Sequence, residues 1–155
     1  MKNELVKDWM TRDVITVSPQ TSLAEAHHIM QQYGIRRLPV VDDGELVGIV
    51  TRGDIRGAQP SGATTLSIWE INYLLAKTTV ADIMTRRPIT IHQMATIGEA
   101  AKIMLEKKIS GLPVVDMAGN LIGIITESDI FRMVVQEWEA ADAEQYQADP
   151  ALMSA

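Results

Sequence analysis

The chain contains one supersecondary pattern twice, and this repetition restricts its possible folds more than any other feature. The segment Val6-Lys-Asp-Trp-Met-Thr-Arg returns 74 positions later as Val80-Ala-Asp-Ile-Met-Thr-Arg. At the same offset, Leu38-Pro-Val-Val-Asp returns as Leu112-Pro-Val-Val-Asp. Two copies of one unit are expected to pack about a pseudo-twofold axis, and clefts between such halves are natural ligand sites. Any function must therefore be built from the repeat.

Composition excludes several functions without identifying one. The net charge of −6 argues against nucleic acid or an anionic membrane as the main partner. The absence of cysteine excludes disulfides, thiol nucleophiles and thiolate metal sites. Because the sequence has neither a bilayer-spanning apolar run nor a signal-peptide core, we expect a cytoplasmic protein without membrane insertion.

Within each copy, the pattern predicts the order strand, helix, strand, strand, helix. The first strand is the β-branched segment Val14–Val17, with Ile89–Ile91 as its counterpart. The helix that follows begins at a capping box, Ser22-Leu-Ala-Glu in the first copy. We expect the two helices to end near Gly34 and Lys108.

A hairpin and a second helix complete each copy. The Asp-Gly pair at 43–44 predicts the hairpin turn, and the nearly all-apolar strands around it predict a sheet covered on both faces. The helix after Thr51 should end near Gly57. Its counterpart after Thr126 should run on to a C-terminal tail, 139–155, which lacks an apolar stripe and should fray.

A further helix lies between the copies. A capping box at Ser67 opens it, and Ile68, Trp69 and Leu74 cover more than one helical face. This predicts burial between the copies or against a second subunit. The predicted organisation is repeat 1 over 5–57, a linker with this helix over 58–77, repeat 2 over 78–133, and a helix extension with tail over 134–155.

No catalytic pattern accompanies the repeat, and we expect a protein that is not an enzyme. The three histidines lack metal-ligand spacing, and no serine has an identifiable base. Neither a Gly-x-Gly-x-x-Gly fingerprint nor a Walker-type phosphate loop is present. No metal site or required cofactor is predicted.

The motifs Thr51-x-x-Asp54 and Thr126-x-x-Asp129 are the first candidates for ligand binding. Each lies where a strand turns into a helix, a place suited to a phosphate. The threonine could donate to a phosphate oxygen, and the aspartate could accept from ribose hydroxyls. The same spacing is also explained by helix capping alone.

The copies diverge at Arg36-Arg37, which is replaced by Ser110-Gly111. Two adjacent arginines on an acidic chain indicate an anion site, although a solvated basic pair or ion pairs with carboxylates would explain them equally. Because the second copy has small, uncharged residues here, we expect unequal clefts.

Two further segments are open to two readings. The backbone at Thr16 and Thr90 could bond the edge of a base, or these residues could simply belong to strands. The segments at Met10 and Met84 are expected to pack one copy on the other rather than to hold a ligand.

Each copy resembles a cystathionine-β-synthase (CBS) domain, and the chain resembles a CBS pair, or Bateman module. The resemblance lies in Asp82-Ile-Met-Thr, Leu112-Pro-Val-Val-Asp and Gly123-Ile-Ile-Thr-Glu-Ser-Asp with their first-copy counterparts, and covers about 5–57 and 78–133. It implies an α+β fold of two β-α-β-β-α repeats packed through their sheets about a pseudo-twofold axis.

The resemblance also implies two clefts that take adenosine-containing ligands, with AMP or ATP preferred and S-adenosylmethionine or NAD-like molecules as alternatives. One cleft would use Ile15, Thr16, Ile35, Arg36, Arg37, Pro39, Thr126 and Asp129. The other would use Ile89, Thr90, Ile109, Ser110, Gly111, Pro113, Thr51 and Asp54. Arg36 and Arg37 are the expected phosphate partners.

Two functions follow from these features. The first is a non-catalytic sensor of adenine nucleotides that signals to an unidentified partner protein. The alternative is a constitutive dimeric interaction module with vestigial clefts. Both include a homodimer, for which an apolar face would come from Ile29, Met30, Met104, Leu105 and Trp69.

Overall fold

The computed structural model describes residues 4–61, 65–148 and 151, and these residues form two similar halves of mixed α and β structure. The helices are α1 (Val6–Trp9), α2 (Leu23–Tyr33), α3 (Arg52–Ala58), α4 (Ile68–Lys77), α5 (Val80–Ile83), α6 (Ile97–Lys107) and α7 (Glu127–Ala148). The strands are β1 (Arg37–Asp42), β2 (Glu45–Thr51), β3 (Thr85–Arg86), β4 (Ile91–His92), β5 (Gly111–Val115) and β6 (Leu121–Thr126). Within the described ranges, no helix is both long and apolar enough to cross a membrane.

The strands form two three-stranded sheets, ordered β1-β2-β3 and β4-β5-β6. An antiparallel hairpin forms the centre of each sheet, and the predicted Asp-Gly turn is confirmed by positive φ angles at Asp43 (50°) and Gly44 (80°). Isolated bridges extend the symmetry, since Val17 pairs parallel with Val40 just as Ile91 in β4 pairs with β5. The two halves therefore share one topology.

The first strand of each copy is shorter than predicted. In the first copy only Val17 reaches a neighbouring strand, where its N–H donates to the Pro39 carbonyl (3.1 Å). In the second copy the strand begins at Ile91 rather than Ile89. Residues 14–16 and 89–90, which were predicted to belong to these strands, have no ladder partner, so β-branched composition alone was not enough to form a strand.

Helix ends follow the sequence closely except in the C-terminal region. The predicted ends at Gly34 and Lys108 are confirmed, because both residues cap their helices in the left-handed conformation. The prediction of a fraying tail is wrong over 139–148, where α7 continues as a regular helix. The rest of the predicted tail, apart from Ala151, lies outside the described residues.

The exposure of helix residues contradicts two predictions about packing. No residue of α4 is buried, and Trp69 is 81% exposed, so α4 does not lie buried between the copies. Met30 and Met104, expected on a dimer face, are instead core residues with 3% and 5% exposure. Helical periodicity predicts which residues form the apolar face of a helix, but it does not distinguish a face buried in the core from one buried in a subunit interface. Leu105 is 80% exposed.

The two halves exchange their leading segments. α1 donates N–H groups to carbonyls of the second repeat, from Val6 to Ala95 (2.8 Å), and α5 does the same in the first repeat, from Val80 to Thr21 (2.8 Å). Val6 and Met10 accordingly belong to the core of the second repeat, while Val80 and Met84 belong to that of the first. The expectation that the two methionine segments pack one copy on the other is confirmed.

A glycine on each sheet makes room for the exchanged segment. A Cβ on Gly48 would lie 2.6 Å from the Met84 sulfur and 3.0 Å from the Thr85 carbonyl oxygen. A Cβ on Gly123 would lie 2.6 Å from the Met10 sulfur and 2.9 Å from the Thr11 carbonyl oxygen. These glycines let the segments lie flat against the sheet.

A second close contact lies between the halves, where Arg37 packs on Gly111. These two residues are symmetry equivalents, because each begins its strand and pairs with the corresponding threonine of the next strand. A Cβ on Gly111 would lie 2.7 Å from Cδ of Arg37, and the guanidinium donates to the Ser110 hydroxyl. The arginine side chain therefore crosses the pseudo-twofold axis and occupies space on both sides of it.

Replacement of Gly48 by alanine should destabilise the fold by about 1–3 kcal/mol, because the Thr85 carbonyl cannot move away without disturbing β3. Gly57→Ala is a matched control, since nothing lies within 4 Å of its Cβ position in α3. This control should be neutral or stabilising by up to ~1 kcal/mol. Urea unfolding measures both, and equal effects would contradict the proposed crowding at Gly48.

A double-mutant cycle tests the Arg37–Gly111 contact. Gly111→Ala alone should cost about 1 kcal/mol or more, because its new methyl group displaces a half-buried side chain. In an Arg37→Ala background the same change should cost less than ~0.5 kcal/mol. Additive free energies of unfolding would show that the two residues do not compete for space.

Candidate functional site

Two clefts lie at the junction of the halves, and each joins a Thr-x-x-Asp motif of one repeat to the strand edge of the other. The Asp54 cleft, of about 1040 Å³, combines Thr51 and Asp54 with second-repeat residues. The Asp129 cleft, of about 450 Å³, combines Thr126 and Asp129 with first-repeat residues. Both are large enough for a small organic ligand.

Most of the residues predicted from the sequence line these clefts. Those in the Asp129 cleft are Ile15, Ile35, Arg36, Arg37, Pro39, Thr126 and Asp129. Those in the Asp54 cleft are Ile89, Ile109, Ser110, Gly111, Pro113, Thr51 and Asp54. Thr16 and Thr90 do not line either cleft: Thr16 borders a separate depression of about 250 Å³, and Thr90 is exposed. Successive side chains of an extended segment point to opposite sides, so the isoleucine before each threonine takes the cleft position.

The apolar part of each cleft comes from equivalent positions. In the Asp54 cleft, Ile89, Ile109 and Pro113 form this wall. The residues 74 positions earlier, Ile15, Ile35 and Pro39, form it in the Asp129 cleft. An aliphatic wall beside a few polar groups is the usual composition of a site for a flat heterocycle.

At the Asp54 cleft, the Thr-x-x-Asp motif caps α3 and still leaves a carboxylate oxygen unused. The Thr51 N–H donates to Oδ2 of Asp54 (2.8 Å), and the Asp54 N–H donates to the Thr51 hydroxyl (3.1 Å). The capping interpretation is therefore confirmed. Among the described residues, Oδ1 of Asp54 accepts no hydrogen bond and forms no ion pair, so it can accept from a ligand.

At the Asp129 cleft, both carboxylate oxygens are already engaged. Oδ2 of Asp129 accepts from the backbone N–H and the hydroxyl of Thr126, at 2.8 and 3.2 Å. Oδ1 accepts from Arg132 at 2.8 Å, and the same guanidinium nitrogen donates to the Trp9 carbonyl (3.2 Å). Asp129 is only 3% exposed. Arg132 was not predicted as a partner of Asp129 from the sequence. Its position three residues after Asp129 on one helix is typical of an ion pair, and Gly57 at the equivalent position of the first repeat shows that the two motifs differ here.

The distribution of charge differs from the sequence-based expectation. At the Asp54 cleft, Ser110 and Gly111 were expected to contribute small, uncharged groups in place of the arginine pair, but cationic side chains from other positions line it. These are Arg36, Arg37, Arg52, Arg56 and Lys108, against the two carboxylates of Asp54 and Glu127. The Asp129 cleft has two cations, Arg36 and Arg37, against the three carboxylates of Asp13, Glu127 and Asp129. The clefts are unequal, as expected, but the excess of positive charge lies at the Asp54 cleft and not at the Asp129 cleft.

Arg37 is shared by both clefts, which explains part of this difference. Burial lowers the pKa of its guanidinium below the ordinary value, and the nearby carboxylate of Glu127 acts in the opposite direction. An arginine remains charged under such a shift. Because its side chain crosses the axis, one cation contributes to the electrostatic field of both clefts.

The sequence matches known proteins over both repeats. The family model described as "CBS domain" matches residues 6–61 and 80–136. Inosine-5'-monophosphate dehydrogenase of Korarchaeum cryptofilum is 44% identical over 125 residues, which are 81% of this chain but only 23% of that enzyme. The chain therefore spans about a quarter of the length of this relative.

Solved structures show the same architecture. CBSX2 of Arabidopsis thaliana in complex with AMP has a TM-score of 0.70 at 33% identity, over 86% of this chain and 97% of that one. The CBS domain pair of the protein MJ0100, in complex with 5'-methylthioadenosine and S-adenosyl-L-methionine, has a TM-score of 0.69 at 37% identity, over 84% and 98%. From the two matched repeats and the shared fold, the chain belongs to the CBS-domain family.

Proposed function

We propose that this protein is a non-catalytic regulatory module that binds an adenosine-containing ligand between its two CBS domains and signals to a partner protein. The observation that carries the proposal is the Asp54 cleft, which is lined by Asp54 of one repeat, with its free carboxylate oxygen, and by an aliphatic wall of the other repeat. The complexes of two relatives with AMP and with adenosyl compounds support the same ligand class.

Each part of such a ligand has a counterpart in the cleft. The wall formed by Ile89, Ile109 and Pro113 suits the adenine ring. The free oxygen of Asp54 suits the ribose hydroxyls, because a carboxylate accepts from two neighbouring donors. Arginines suit phosphate, to which they form charge-assisted hydrogen bonds.

A ligand in this position contacts both repeats and can therefore change their relative arrangement. It shifts the equilibrium between two arrangements only as far as its affinities for them differ. A regulatory effect also needs a protein that recognises one arrangement, so the proposal includes a partner.

Asp54→Ala should weaken binding of AMP or ATP by roughly 10- to 100-fold, the usual effect of losing a hydrogen bond to a charged group. Isothermal titration calorimetry with AMP, ATP and S-adenosylmethionine measures this. Glu99→Ala is the matched control, because it removes a comparable capping box on α6, at Thr96, and lines neither cleft. If no ligand binds at millimolar concentration and neither Asp54→Ala nor Asp129→Ala has an effect, the sensor function is wrong.

The alternative, a constitutive interaction module, is favoured by exposed apolar side chains. On α4 these are Ile68, Trp69, Tyr73 and Leu74, with Trp69 and Tyr73 bordering a shallow apolar depression. Another set on α6 and α7 comprises Leu105, Phe131, Val135 and Trp138. Apolar surface of this kind is typical of contacts between subunits, and both functions include a homodimer.

Sedimentation equilibrium should show a dimer, and Trp69→Ala should shift it toward monomer if α4 contributes to the interface. Trp138→Ala is a matched comparison, because it truncates an equally large exposed side chain on α7. A monomer at every concentration would overturn the dimer. A dimer whose size and melting temperature are unchanged by nucleotides would favour the interaction module over the sensor.

A further inference from the structure

The two Thr-x-x-Asp motifs are followed by different charges at equivalent positions. Arg52 corresponds to Glu127, one residue after each threonine, and Arg56 corresponds to Phe131. Both arginines line the Asp54 cleft. Glu127 borders both clefts, whereas Phe131 lines neither and is 66% exposed. The first repeat therefore supplies two cations to its cleft where the second supplies none.

These arginines add to a cationic group that already surrounds the Asp54 cleft. Arg36 and Arg37 approach from the start of β1, and Lys108 from the end of α6. Five cations against two carboxylates leave an excess of positive charge on a chain whose net charge is −6. A chain of two or three phosphates carries more negative charge than a single phosphate, so it complements this excess of positive charge better.

The Asp129 cleft has the opposite character. Its volume is less than half that of the Asp54 cleft, and its carboxylates outnumber its cations. Arg132 occupies the carboxylate oxygen of Asp129 that corresponds to the free oxygen of Asp54, and the Trp9 carbonyl holds this guanidinium in place. The equivalent residue of the first repeat, Gly57, has no side chain that could do the same.

We infer that the Asp54 cleft selects nucleoside di- or triphosphates over monophosphates, and that Arg132 closes the Asp129 cleft to a ribose. The inference rests on the proposed function and specifies the ligand class and the cleft. Arg52 and Arg56 determine specificity by contacting the outer phosphates. Arg132 acts through Asp129, because its guanidinium competes with a ribose hydroxyl for Oδ1 of that carboxylate.

Calorimetry with AMP, ADP and ATP in magnesium-free buffer tests the specificity. The wild-type protein should bind one ATP per chain, at least tenfold more tightly than AMP. Arg52→Ala/Arg56→Ala should weaken ATP binding by tenfold or more while changing AMP binding less than threefold. Lys102→Ala/Lys107→Ala is the matched control, because it removes the same charge from exposed positions on α6 outside both clefts.

The same titrations test the role of Arg132. Asp129→Ala should leave the stoichiometry at one ATP per chain, whereas Asp54→Ala should weaken ATP binding by roughly 10- to 100-fold. Arg132→Ala should add a second nucleotide site per chain, with circular dichroism confirming that the variant is folded. The wild-type stoichiometry of one ATP per chain remains decisive if either variant does not fold, because Asp129 is buried and accepts hydrogen bonds from Thr126 and Arg132.

The outcomes separate this inference from the proposed function. Equal affinities for AMP and ATP, equal effects of the two double variants, or two tight sites in the wild-type protein would overturn the inference while the nucleotide-binding function stands. If none of the three nucleotides binds, the proposed function itself fails.

Discussion

The exchange of leading segments between the halves is the contact on which the rest of the structure depends. Met10 and Met84 each lie across the sheet of the opposite repeat, where Gly123 and Gly48 leave room for them. The backbone bonds from α1 and α5 fix the same arrangement. Neither repeat completes its core without the other's segment, so this exchange sets the orientation of the halves from which any ligand-dependent change starts. The clefts inherit their shape from that orientation.

Symmetry and asymmetry have different physical origins here. Equivalent isoleucines and prolines give both clefts the same aliphatic wall. The charged residues lie on cleft surfaces that the core does not constrain. Arg52 and Glu127 can therefore differ in sign without disturbing the packing of either half. A duplicated scaffold thus supports two chemically different sites.

Much of the fold is predictable from local sequence, because the signals act within a few residues. The Asp-Gly turn, the capping boxes and the ends of α2 and α6 follow from backbone chemistry at single positions. Most of the site residues predicted through the resemblance of the repeats to a known family do line a cleft. The first strands were overestimated, because β propensity carries no information on whether a pairing partner lies opposite.

Three features of the clefts and cores were not predicted from the sequence. Arg37 was assigned to one cleft but borders both. Its side chain extends past Gly111, and this contact arises only when the two repeats pack together. Met30 and Met104 were assigned to a surface and lie in the cores, since an apolar helix face does not specify what covers it. The engagement of Asp129 by Arg132 was overlooked although both residues lie on one helix.

The Arg37–Gly111 contact has a consequence for how such a molecule can be assembled. Space on a twofold axis is available to one side chain only, because its symmetry mate would claim the same volume. Two identical single repeats would bring either two arginines or two glycines to that place. Two repeats that differ in sequence, as the joined and diverged pair of this chain does, can put one guanidinium there with a glycine opposite. Tandem fusion thus made available a central cation that a symmetric dimer of single repeats excludes.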